Sequence, residues 1–253
     1  FVPMPSSVVE QTAIANTLID TEKWIQSLNR LIVKKQNIKQ GAMQNLLTPF
    51  ENRELKKGWV SKELGEISKH SKGKGLSKSQ LTINGKYPCI HYGELFTKYN
   101  ESIECVFSRT NLNENVYLSK SNDVLMPTSD VTPSGLATAS CIKKDGVILG
   151  GDILVIRPNN SDLDGVFFSY LINIEREQVL QLVTGTTVYH LYGKDMAKFK
   201  MHLPKDLSEQ VRIANILSDM DEEITILKNK LSKAKQIKQG MLQNLLNGKV
   251  RLL

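Results

Sequence analysis

The stretch EQTAIANTLIDTEKWIQSLNRLIVKKQNIKQGAMQNLL, Glu10 to Leu47, returns as EQVRIANILSDMDEEITILKNKLSKAKQIKQGMLQNLL, Glu209 to Leu246. The two copies align without a gap at a constant offset of 199 residues, and 18 of the 38 positions are identical, too many for chance. In the second copy Leu217, Met220, Ile224, Leu227, Leu231 and Ala234 alternate three- and four-residue steps, the spacing of a coiled-coil seam. The first copy keeps Leu18, Ile25, Leu28 and Ile32. Beyond the seam Ile237, Met241 and Leu245 step by four, as do Ile38, Ala42 and Leu46, so both copies share one shift of phase.

Each copy predicts a helix of about 38 residues, roughly 57 Å long at about 1.5 Å per residue. That is more than a compact domain of this size buries, so the helices are expected to project. Pro5 and Pro204 precede the helices, and Ser208 is a candidate N-cap. Because the segment between must receive one helix and emit the other, the simplest arrangement is an antiparallel coiled-coil arm. Leu18, Ile25, Leu28, Ile32, Leu217, Ile224, Leu227 and Leu231 are its pairing or partner-binding residues. A generic dimerising coiled coil is the plainer reading of such a pattern, and the duplication counts against it.

Between the copies the helical period fades. Short strand-like runs appear at Cys105–Phe107, Asp123–Met126, Val147–Ile148 and Ile153–Ile156, separated by turn residues. Val166–Ile174 and Arg176–Leu182 read as helices. The expected class is α+β, with one globular domain of short strands and loops over 59–203 and helical regions over 1–58 and 204–253.

A formal net charge of +7 favours a polyanionic partner, either nucleic acid or an anionic membrane surface. No stretch reaches the roughly 18–20 apolar residues of a spanning helix, and no basic-then-apolar signal opens the chain, so a cytoplasmic protein with no membrane partner is expected. Lys69 to Lys78, KHSKGKGLSK, suits phosphate contacts from a flexible loop, with Lys72, Lys74 and Lys78 as candidates, although a merely solvated loop reads the same way. Thr128 and Ser129, and Thr186, Thr187 and His190, lie in polar stretches whose short side chains can reach base edges or equally satisfy tight turns. Tyr92, beside His91, is the one aromatic residue placed to stack on a base, whereas Trp24 and Trp59 read as packing residues.

Cys89 and His91 are the nearest approach to a metal pair, and the remaining histidines have no ligand spacing, so no metal site is expected. Cys89, Cys105 and Cys141 form no CxxC pair and read as reduced, ordinary residues. No GxSxG elbow, HExxH helix, GxxxxGK[ST] loop or dinucleotide glycine motif is present, and no catalytic residues are expected.

The order of parts resembles the specificity subunit of Type I restriction-modification systems, in which conserved helices alternate with target-recognition domains. The resemblance rests on Pro5, Glu10 and Gln11 and on Pro204, Glu209 and Gln210, with the IAN, IKQG and QNLL blocks. Trp59, Leu64, Gly65 and Glu66 open the central domain, and GDILVIRP (Gly151–Pro158), GTTVYHL (Gly185–Leu191), Lys194, Asp195 and Met196 close it. It implies recognition of duplex DNA, one half of a bipartite site per domain, without chemistry of its own. It also implies methyltransferase subunits that use S-adenosylmethionine and translocating restriction subunits that use ATP and magnesium, none of these cofactors binding here. Family members usually carry two recognition domains, whereas this chain carries one and opens at Phe1 rather than methionine. A half of a longer subunit and a naturally short subunit that pairs as a dimer both fit. An adaptor whose central module binds protein is the alternative function.

Overall fold

The structure, a computed structural model, describes residue 5, residues 7–159 and residues 161–252; Phe1 lies outside them. Two 40-residue helices carry the repeat, α1 (Val8–Leu47) at one end of the chain and α7 (Leu207–Leu246) at the other. The chain divides into two compact units, one of residues 1–42 with 219–253 and one of residues 43–218, so the division falls inside both helices.

In the helical unit most of the seam residues meet, while Leu18 and Met220 are only half-buried and stand outside the cluster. Ile25, Leu28, Ile32, Leu227 and Ala234 form one buried cluster with Leu231 packed on it, and Ile224 is also buried. The pairing is antiparallel. Lys39 Nζ lies 2.6 Å from Asp221, and Lys238 Nζ lies 2.6 Å from Glu22. These are one contact made twice, because the repeat offset carries Lys39 onto Lys238 and Glu22 onto Asp221. Arg251 holds Glu10 at 2.5 Å, near the start of α1. The hydrogen bonds from Lys238 to Glu22 and from Arg251 to Glu10 hold both carboxyls below the usual range.

The P-x4-EQ motif has a physical reading in both copies. Gln11 Nε2 donates to the Pro5 carbonyl at 2.7 Å, and Gln210 Nε2 donates to the Pro204 carbonyl at 2.8 Å. The side chain thereby closes the turn that leads into each helix. Ser208 is not the cap of α7. Asp206 is, its carboxylate accepting from Ser208 N at 2.9 Å and Ser208 Oγ at 2.8 Å, because the helix begins one residue before the serine.

In the central unit α1 leads to a hairpin, β1 (Phe50–Glu51) and β2 (Glu54–Leu55), then β3 (Trp59–Glu63), the single turn α2 (Leu64–Ile67) and β4 (Ser68–Lys72). Next come β5 (Tyr87–Ile90), β6 (Ser102–Ile103), β7 (Ser108–Thr110), β8 (Tyr117–Leu118), β9 (Asp123–Pro127), β10 (Ser129–Asp130) and the short helix α3 (Pro133–Leu136). Then follow β11 (Ser140–Ile142), β12 (Ile148–Leu149), β13 (Ile153–Pro158) and the helices α4 (Gly165–Ile174) and α5 (Arg176–Gln181). The unit closes with β14 (Tyr189–His190), the turn α6 (Gly193–Met196) and β15 (Lys200–Pro204).

The largest sheet has the order β4-β13-β9-β11-β6, a second runs β7-β5-β12-β8, and β10-β14 and β15-β3 are two-stranded. β9 and β13 are buried nearly throughout, which is why they read as unbroken apolar runs. α4, capped by Asp164 accepting from Phe167 N at 2.8 Å, packs on β9 and β11 with Phe167, Phe168, Tyr170 and Leu171 buried. Gln210 ties the start of α7 to this layer, accepting from Asp164 N at 2.9 Å and donating to the Asp162 carbonyl at 3.1 Å. Leu217, a predicted pairing residue, is fully buried inside this unit.

Two further expectations are corrected. Cys105–Phe107 is not a strand but the link between β6 and β7, with Cys105 and Phe107 exposed. Lys69–Lys72 is not flexible loop: it lies in β4, paired antiparallel with β13 from Ser68↔Pro158 to Lys72↔Leu154. Its polar sequence follows from its place at the sheet edge.

Leu227 is buried in the helical seam and the adjacent Ile226 is 46% exposed. Leu227→Ala is expected to cost about 2–4 kcal/mol, and Ile226→Ala to stay within about 0.5 kcal/mol, read by urea unfolding followed through the helical circular-dichroism signal.

Candidate nucleic-acid interface

Four segments far apart in sequence line one groove in the central unit, with a volume of about 660 Å³. Its floor and walls come from His70 and Lys72 of β4, Thr128 and Ser129, Asp152 before β13, and the run from Val188 to Lys194. Strand register does the assembling. Ser129 of β10 pairs with His190 of β14, Leu191 N donates to the Thr128 carbonyl at 3.0 Å, and Thr128 N donates to the Asp152 carbonyl at 3.0 Å. Asp152 also borders a neighbouring hollow of about 340 Å³ lined by Ser77, Gln80, His91 and Tyr92. The two depressions therefore meet at one carboxylate.

The predicted residues distribute unevenly. Lys72, Thr128, Ser129 and His190 share the groove, and Tyr92 lines the adjoining hollow. Thr186 and Thr187 lie outside the groove lining, exposed at the tip of a hairpin closed by Thr184 and His190, where Gly185 adopts φ +113°. Lys74 and Lys78 are exposed beside the hollow without lining it. Gly73, between Lys72 and Lys74, is required by a close approach of backbone to backbone. A Cβ there would sit 2.0 Å from the Gly150 carbonyl oxygen, so only glycine lets β4 run against that backbone.

Asp152, Tyr192, Lys194 and His70 are among the groove residues that were not named as candidates from sequence. Asp152 binds Lys72 Nζ at 3.1 Å, both side chains about half exposed, so the Lys72 charge is already partnered. Tyr192 stacks near His190 with ring centroids 6.0 Å apart, and Lys194 Nζ lies 5.7 Å from the Tyr192 ring. His70 sits behind them, its Nε2 3.3 Å from Ser68 Oγ, and burial pushes its imidazole below the ordinary range, so it is neutral near pH 7. Asp152 lies in GDILVIRP and Tyr192 and Lys194 follow GTTVYHL, so motif membership was the available signal. His70 lies within KHSKGKGLSK, where the lysines alone were picked out as candidates.

Chemically the groove offers hydroxyl, imidazole and phenol groups for hydrogen bonding, one carboxylate acceptor, aromatic faces for stacking and ammonium groups for phosphate. The Cys89 thiol is buried and its pKa is pushed up to about 11, chiefly by burial, while His91 Nδ1 accepts from Gly93 N at 3.2 Å. No group of three histidine, cysteine or acidic side chains suited to a metal occurs among the described residues. Among them, too, no helix is long and apolar enough to cross a membrane.

Residues 56–236 match the family model described as the Type I restriction modification DNA specificity domain. The chain is 27% identical over 269 residues to a putative type I restriction enzyme MjaX specificity subunit of Methanocaldococcus jannaschii, covering 99% of this chain and 59% of that protein. The type I restriction enzyme MjaVIII specificity subunit of the same organism is 25% identical over 270 residues, covering 99% and 62%. The chain thus spans about three-fifths of the length of these relatives. Among solved structures, the HsdS subunit from Thermoanaerobacter tengcongensis superposes with a TM-score of 0.58 at 18% identity, over 98% of this chain and 61% of the other. The Type-I restriction-modification S subunit from M. genitalium gives 0.63 at 19%, over 96% and 62%. At these identities the likeness establishes the fold.

Because the native pKa of His70 is depressed, protons bind the unfolded chain first as pH falls below about 6.5. Stability is expected to drop through that window and to level off below the native value. His70→Asn should show a smaller loss of Tm between neutral and mildly acidic pH than the parent chain, measured by thermal melts.

Proposed function

From the premise that this chain belongs to the family of Type I restriction-modification DNA specificity domains, we propose that it recognises one half of a bipartite duplex site and carries out no chemistry. The observation that carries this reading is the convergence of Lys72, Thr128, Ser129, His190, Tyr192 and Lys194 on one groove that meets the Tyr92 hollow at Asp152. Thr128, Ser129 and His190 read base edges over about three to five base pairs. Asp152 accepts from an exocyclic amine such as that of cytosine, while Lys74, Lys78 and Lys194 lie against phosphates and Tyr92 stacks.

The helical unit positions methyltransferase and restriction subunits, which bring S-adenosylmethionine, ATP and magnesium, and it can pair two copies of the chain. Support comes from Trp24, Leu31 and Ile38, which recur every seven residues along α1 and remain 47%, 38% and 46% exposed beside the buried seam. Such an assembly acts in the cytoplasm.

The chain, alone and mixed with its methyltransferase subunit, is to be followed by light scattering and by fluorescence anisotropy on random duplex pools. Selection of a defined duplex with affinity falling as salt rises is the expected result, and no salt-dependent DNA affinity would favour a protein-binding adaptor. Changing Lys72, Lys74 and Lys78 together to glutamine should weaken all duplexes and reduce the log–log salt slope by about two to three. His190→Ala should alter site preference instead.

A further inference from the structure

On the far end of β4 from Lys72 lies a second hollow, of about 230 Å³, bordered by Lys69, Lys120, Ser121, Arg157, Pro158 and Asn159. Arg157 of β13 pairs directly with Lys69 of β4. Side chains so placed in an antiparallel pair stand about 4.5–5.5 Å apart at Cβ, and like charges there are destabilising. Lys120 brings a third cation to the same rim. Two cations opposed across the strands with a third on the same rim make an arrangement that an anion resolves.

Arg157 is held ready for that role. Its Nε and one terminal nitrogen grip the two oxygens of the fully buried Asp123 at 2.7 Å each, and its guanidinium carbon lies 5.7 Å from the Tyr117 ring. Asp123 also accepts from Lys120 N at 2.8 Å, so this carboxylate is saturated from within the protein. A nearby acid, Asp145, is engaged by Ser121 N at 2.6 Å. The second terminal nitrogen of Arg157 and the ammonium groups of Lys69 and Lys120 have no such partner among the described residues. The guanidinium therefore has its free edge fixed, which is the preorganisation that phosphate recognition by arginine requires.

We propose that Lys69, Lys120 and Arg157 form a second anion site, separate from the groove, that takes a phosphodiester of duplex DNA. The proposal rests on the DNA-binding reading above and adds an anchor to it. Lys69 and Lys72 are three residues apart, about 10 Å along β4, and point to opposite faces of the strand. Because β4 is the edge of its sheet, a duplex laid along that edge meets side chains from both faces. The groove reads, and this site fixes the backbone without sequence information.

The test is the double variant Lys69→Gln/Lys120→Gln in the full chain, which leaves the Arg157–Asp123 pair intact. Anisotropy with the selected duplex and with a random duplex, over about 50–200 mM salt, should show the log–log slope reduced by about two and affinity lowered about tenfold or more on both. Their ratio should be unchanged. An unaltered slope overturns the proposal and leaves Lys69 as a guard against edge-strand association, a result light scattering would show as self-association of the variant. Should the double variant melt early, Lys120→Gln, which lies outside any strand, carries the same reading with a slope change of about one. Groove variants that weaken binding while this pair does not overturn the anchor alone. A parent chain with no affinity for any duplex overturns both readings.

Discussion

Two ammonium–carboxylate contacts, Lys39 with Asp221 and Lys238 with Glu22, fix how the long helices meet, and the repeat makes them one interaction used twice. An apolar seam alone tolerates sliding by a heptad, since leucine and isoleucine accept one another as neighbours. Charged pairs flanking the seam at both ends do not, because a slip separates each cation from its acid. The antiparallel register follows, and with it the burial of Ile25, Leu28 and Ile32 against Leu227 and Ala234. Duplication thus supplies a two-fold logic within a single chain.

The central unit solves a different problem. It surrounds buried apolar strands with polar loops while leaving those loops fixed in place. Gln210 illustrates how. Fully buried, it binds the Pro204 carbonyl, the Asp162 carbonyl and Asp164 N, so one side chain closes a turn, orders the approach to α4 and sets the start of α7. The short β10–β14 pairing likewise joins segments about sixty residues apart and brings Ser129 beside His190.

The helices and their seam were legible because periodicity and repetition are properties of the chain itself. The buried strands β9 and β13 were legible for a related reason: a strand covered on both faces reads as a continuous apolar run. β4 was not, since SKHSK has no apolar alternation and becomes a strand only because β13 offers it a partner. Cys105–Phe107 misled in the opposite sense, its apolar character being no guarantee of a neighbouring strand. In the site, Lys72, Thr128, Ser129, Tyr92 and His190 could be named as types but not as neighbours, and Asp152 escaped notice because a lone acid in a basic groove looks like turn chemistry.

That acid changes what the groove rewards. With Lys72 already engaged by Asp152, any polyanion entering must displace or share an existing partner and bring its own charge toward a carboxylate. A ligand offering only phosphate meets repulsion at the junction of the two depressions, whereas one that also presents a donor to Asp152 releases Lys72 and satisfies both. On the proposed reading the same carboxylate disfavours a ligand that brings only phosphate and favours one that also brings a donor, so discrimination would draw on an unfavourable charge as much as on favourable ones.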